Sequence, residues 1–217
     1  MSLPTLPEFF MMLPGVLMGL TFHEFAHAWV ATRFGDDTPR LMGRVTLNPM
    51  AHLDILGTLL LFIGGFGWAK PVQVNTSRLR PRVWGDIAVS LAGVTMNLLL
   101  SIIFFILLNM AAAGLFFGYR NLQLLLTLQF AYRINLILVG FNLIPLPPLD
   151  GFHVARYLLP PSMNQVVSFL YQWGPYLFFF LVIAAPQVLH LFLDPVYAGL
   201  LFVVRGVSAP VFWALGI

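Results

Sequence analysis

The chain has 217 residues, 59% of them hydrophobic and only 9% charged, against roughly 25% charged in a soluble domain. A surface so poor in charge cannot be kept in water, so the chain reads as an integral membrane protein. The absence of cysteine excludes thiolate ligands, disulfides and cysteine catalysis. The net charge of +3 comes from Lys and Arg that form no groove or patch for nucleic acid.

The first apolar run, Phe9–Ala31, is long enough to span a bilayer, which takes about 20 helical residues. A helix is expected over Glu8–Arg33, with Pro7 suiting its start and Pro14-Gly15 bending its first half. No charged n-region precedes the run, so it reads as a functional span and not as a cleavable signal. It carries His23-Glu24-Phe25-Ala26-His27. Ionisable groups at membrane depth are costly and usually face a partner or a functional cavity. The two histidines fall at i and i+4, which puts their Cβ atoms about 6 Å apart on one helix face. Two imidazoles so placed can share one zinc ion, with Glu24 beside them as a base towards its open side. The alternative is a polar contact between packed helices.

Thr38–Arg82 is too polar at its ends for a simple span. Asp54–Leu61 has a helical pattern, Phe62–Trp68 is rich in glycine, and Lys70–Asn75 alternates like a strand. A re-entrant element with a short β-hairpin is expected here. His52 and Asp54 form either a supporting pair for the metal or an interfacial contact. The later spans are Ile87–Tyr119, Leu122–Pro145, Tyr157–Leu193 (broken by prolines) and Pro195–Ile217. Arg133 interrupts the third span, and Asp86 is its expected structural partner. The fold class is therefore an all-α polytopic membrane protein with about five transmembrane helices. Residues 1–217 form one membrane-embedded domain, with a motif-bearing core at 8–156 and C-terminal helices at 157–217.

Seven of the eleven Lys and Arg lie between Arg33 and Arg82, so this segment is expected to face the cytoplasm. The spans then bring Pro145–Gly151 back to the same face. His27 lies about 9 Å of helix before Arg33, so both polar clusters sit at similar depth. In Asn142-Leu143-Ile144-Pro145-Leu146-Pro147-Pro148-Leu149-Asp150-Gly151 the prolines stop the helix. The unwound end lets Asp150 turn inward as a third ligand, leaving a fourth position open. Pairing of Asp150 with Arg156 is the bland alternative. Asn142 is placed to offer an amide donor to a developing oxyanion, or else to glue helices together. His153 faces either Asp150 or the headgroups.

HEFAH together with NLIPLPPLDG resembles the site-2 protease family of intramembrane zinc metalloproteases. Gly43–Pro49, His52-Leu53-Asp54, Gly57-Thr58 and Gly67–Val72 resemble its short branch without PDZ or CBS domain. The likeness runs from about Leu20 to Arg156. It implies His23, His27 and Asp150 as ligands of one Zn2+ per chain, with Glu24 as general base and Asn142 as the substrate- or oxyanion-binding asparagine. Ala92–Asn97 matches a family motif in which proline usually follows the glycine. Val94 stands there instead, so a straighter helix is expected and the role of Asn97 stays open. The implied substrate is a transmembrane protein or peptide, cleaved within or near its membrane segment in regulated intramembrane proteolysis. The implied setting is the cell membrane, with the active site towards the cytoplasm. The rival is a catalytically inactive metal-binding scaffold or a metal-ion carrier, and the sequence leaves oligomeric state open.

Overall fold

The computed structural model describes residues 5–57, 60, 67–116 and 119–217. Five helices are long and apolar enough to cross a membrane: α1 (Leu6–Arg33), α3 (Arg82–Ala112), α4 (Leu122–Asn142), α6 (Asn164–Ala184) and α7 (Pro186–Leu215). Two short helices, α2 (Thr38–Leu41) and α5 (Asp150–Ala155), lie between them. The chain is a multi-pass membrane protein.

Two of the inner helices start on a side-chain cap. The Glu8 carboxylate reaches back to accept from the Thr5 N–H at 2.8 Å and its hydroxyl at 2.7 Å, so donors at the start of α1 do not go unpaired. At α4, the side chain of Asn121 accepts from the Leu124 N–H. Pro14 stays inside α1, and α3 runs unbroken through Val94 as its missing proline predicts.

α1, α3 and α4 form the inner bundle. Without a hydrophobic drive between helices in lipid, close packing decides the crossings, and small residues permit it. Gly15 of α1 lies so near α4 that an added Cβ would sit 2.6 Å from the Ala131 Cα. Val94, Leu100 and Phe104 of α3 and Leu128, Ala131 and Leu136 of α4 build the main core, which Leu200 and Val204 of α7 complete. Only 11% of the most apolar stretch of α6 and of α7 is buried, against 33–39% in the inner three. The outer pair therefore offers most of its surface to lipid.

Two expectations need correction. The β-hairpin is not formed among the described residues, where the one antiparallel bridge joins Leu53 to Ala69. Residues 70–75 carry no regular secondary structure, and their N–H groups go elsewhere: Lys70 to the His52 carbonyl, Val72 to Glu24 and Asn75 to Asp36. Backbone whose donors are taken singly by other segments makes a strap and not a ladder. Arg44, which is buried, ties this strap to its neighbour by donating to the carbonyls of Ala51 and Lys70. Of the expected helix over Asp54–Leu61, residues 55–57 and 60 are helical. Residues 58, 59 and 61–66, with most of the glycine-rich stretch, lie outside the described residues. The second correction concerns the outer spans, which divide at Ala185-Pro186 and not at Asp194-Pro195. Ala185 leaves the helical region, as a residue before proline tends to, and Pro186 opens α7. Pro195 and Pro210 are carried inside α7, as membrane helices allow.

Candidate metal centre

α1 places His23 and His27 one turn apart, both buried, with ring centroids 4.6 Å from each other. α4 ends at Asn142, and the proline-rich turn at 145–148 leads into α5, whose first residue is Asp150. The two stretches converge. The Nε2 atoms of His23 and His27 lie 3.0 Å apart, and Asp150 Oδ2 is 3.3 Å from each. Among the described residues these three form the cluster able to hold a metal ion.

Proton bookkeeping decides what this cluster wants. His27 Nδ1 lies 2.7 Å from the Val89 carbonyl oxygen, which can only accept. His23 Nδ1 lies 2.6 Å from Asn97 Oδ1. That atom is the oxygen end of the amide, because Asn97 Nδ2 donates to the Gly19 carbonyl at 3.0 Å and to Asn135 Oδ1 at 2.9 Å. Asn135 in turn donates to the Ala131 carbonyl. A neutral imidazole carries a single N–H. Spent at Nδ1, it leaves both Nε2 atoms as bare lone pairs facing each other and a carboxylate oxygen. Asp150 Oδ2 is buried with no hydrogen-bond donor. Three acceptors in such contact repel unless a cation lies among them. Tetrahedral zinc with bonds of about 2.0 Å needs donors about 3.3 Å apart, so the set fits zinc in chemistry and in span.

Glu24, buried beside His23, accepts the Val72 N–H of the strap on Oε2 at 2.9 Å. Asn142 donates to the Leu138 carbonyl at 3.0 Å. No hydrogen bond among the described residues joins it to His23, Glu24, His27 or Asp150. His52 is fully buried with Nε2 2.8 Å from the Thr46 carbonyl, while Asp54 accepts from the Gly57 N–H, so the two do not pair. His153 stacks edge-on near Tyr171, and burial, then Arg156, holds it below the ordinary imidazole value. Arg156 pairs with Asp86, which displaces the expected pairing of Arg133 with Asp86 and leaves the alternative pairing of Asp150 with Arg156 unformed. Arg133 is exposed on α4.

Sequence reasoning singled out Ala92–Asn97 on α3 with the role of Asn97 open, and passed over what Asp86, Val89 and Gly93 do. Asp86, Val89, Gly93 and Asn97 recur at helical spacing along one buried stripe. Asp86 meets Arg156, the Val89 carbonyl meets His27, and Asn97 meets His23. Gly93 lies against both rings, where a Cβ would sit 2.5 Å from His23 Cε1 and from His27 Nε2. The signal was there to find: Gly85, Asp86, Ser90, Gly93, Asn97 and Ser101 form a small or polar stripe in an apolar helix.

The chain matches the model of peptidase family M50 over residues 11–120 and 118–183. It is 42% identical over 162 residues to a Bacillus subtilis (strain 168) protein named "Putative zinc metalloprotease YwhC", covering 73% of this chain and 74% of that one. It is 33% identical over 206 residues to "Putative zinc metalloprotease Rip2" of Mycobacterium tuberculosis (strain ATCC 25618 / H37Rv), covering 92% and 76%. To "Putative zinc metalloprotease MJ0611" of Methanocaldococcus jannaschii it is 32% identical over 151 residues, covering 69% and 71%. No solved structure matches.

Proposed function

The chain belongs to peptidase family M50, the site-2 protease family, and from that premise we propose that it is a zinc metalloprotease cutting membrane-protein substrates within or beside their transmembrane segments. The observation that carries this reading is the facing of three proton-free donors, His23 Nε2, His27 Nε2 and Asp150 Oδ2, at the spacing a tetrahedral ion demands. On this reading they hold one zinc ion per chain, inside a single membrane-embedded domain.

Bound zinc supplies Lewis acidity, acidifying water and polarising a carbonyl. The chain's own groups do the rest. Glu24 takes a proton from the attacking water on a carboxylate oxygen and returns it to the leaving amine nitrogen. The Val72 N–H holds Oε2 and keeps the carboxylate from swinging away. Asn97 and the Val89 carbonyl hold the imidazole protons at Nδ1, so that Nε2 stays a donor atom. Asn142 turns its amide from Leu138 towards the oxyanion as it develops. A substrate helix must unwind before cleavage, and the strap at residues 70–75, held to Glu24 through Val72, offers backbone groups to the unwound stretch.

The test is to incubate detergent-solubilised protein with a transmembrane peptide, with and without a zinc chelator. Cleavage should stop when zinc is stripped and return when zinc alone is restored. Cleavage that persists in zinc-free protein would refute the metalloprotease reading. Metal binding without any cleavage would favour the inactive scaffold or carrier.

The excess of Lys and Arg around the strap supports an active site facing the cytoplasm of the cell membrane. The native chain has no cysteine, so a single Ser77→Cys reports its own side. A membrane-impermeant thiol reagent should label it in inverted vesicles and spare it in intact cells. Labelling in intact cells would reverse the orientation.

A further inference from the structure

Asp150 begins a helix of only six residues with no side-chain cap, and so short a helix does not hold itself in place. Its position must come from contacts, and two are strong. Phe152 is buried to 1% exposure, and just past the helix end Arg156 reaches Asp86 of α3. Asp86 is itself 2% exposed. Its Oδ2 takes the Arg156 guanidinium together with the Tyr157 hydroxyl at 2.7 Å. Arg156 also meets the hydroxyls of Tyr157 and Tyr171, and its guanidinium lies 4.8 Å from the centre of the Tyr157 ring. A planar fork with a carboxylate, two hydroxyls and an aromatic face around it has one orientation left.

On the reading of Asp150 as a zinc ligand, we propose that Asp86 and Arg156 are positioning residues that set where the Asp150 carboxylate stands relative to the two histidines. Both halves of the metal set are referred to the same stretch of α3. Asp86 lies one turn before Val89, whose carbonyl holds His27, so one rigid segment fixes His27 directly and Asp150 through Arg156. A buried ion pair is a poor source of stability, since apolar residues of similar volume often do as well. What it adds is direction and length, and those are what a ligand on a short helix needs.

The experiment measures zinc affinity by competition with a chelator, using the full chain in detergent, together with the visible spectrum of the cobalt-loaded protein. Asp150→Ala calibrates the loss of a ligand. Asp86→Asn and Arg156→Lys should each weaken zinc by about 10–100-fold and shift the cobalt bands. Arg156→Lys keeps the charge pairing that folding needs while losing the fork. The cobalt spectrum reports the geometry of bound metal, which a change in global stability alone would not move. If Asp150→Ala weakens zinc while Asp86→Asn and Arg156→Lys bind it like wild type with an unchanged spectrum, the positioning role is wrong. If Asp150→Ala itself leaves affinity intact, the ligand assignment fails first and takes this inference with it.

Discussion

Glu24→Gln should lower peptide cleavage by on the order of 10²–10⁴-fold while leaving zinc bound one to one. The substitution keeps the shape of the side chain, and the Gln carbonyl can still accept the Val72 N–H that holds Oε2 now. What it removes is the ability to carry a proton from water to the leaving nitrogen. His23, His27 and Asp150 are untouched, and the Nδ1 partners Asn97 and Val89 lie on another helix. Cleavage rate and zinc content should therefore separate, the first collapsing and the second holding. Cleavage near the wild-type rate in purified Glu24→Gln protein would remove this residue from the mechanism.

Gly93→Ala should disable the metal centre without unfolding the protein. The added methyl would stand 2.5 Å from His27 Nε2 and His23 Cε1 and 2.7 Å from His23 Nδ1. Neither ring can step aside freely, because each is held at Nδ1 from α3 itself. Either α1 and α3 move apart or the rings turn off their acceptors, and both outcomes spoil the donor set. Overpacking costs about 1–3 kcal/mol, while replacing a mid-helix glycine by alanine returns about 0.5–1 kcal/mol. Thermal stability should thus change little while zinc affinity falls at least tenfold. Competition with a chelator and a melting curve on the same sample check both halves. Wild-type affinity in Gly93→Ala would mean the rings do not lean on α3 as described.

The sequence revealed the parts of this protein that depend on local pattern. Five apolar runs gave five spans, because length and hydropathy are properties of a segment by itself. His23 and His27 share a helix face, so their pairing followed from spacing alone. Asp150 was reachable because the prolines at 145, 147 and 148 must end the helix before it. The misreadings were matters of partnership. The alternation of Val72 and Val74 looked like a strand, yet it arises because Val74 packs against the Ala31, Leu79 and Val89 cluster while the Val72 amide turns to Glu24. Asp86 was offered to Arg133, where the crossing of α5 over α3 joins it to Arg156. The proline that divides the outer spans was one of several, and nothing local told Pro186 from Pro195. Asn135 passed unnoticed, since its worth lies in fixing which end of Asn97 faces His23.

One consequence of α3 concerns phase more than chemistry. It lends no donor atom to the proposed ion, yet three supports and one clearance stand in line along it, at Asp86, Val89, Asn97 and Gly93. A single residue inserted upstream of that line would rotate it by about 100° and carry all four off their partners together. The same insertion downstream of Ser101 would leave them in register. On the proposed reading, metal loading therefore depends on the azimuth of a helix that supplies no ligand, and drift in that azimuth would silence the enzyme while His23, His27 and Asp150 stayed intact.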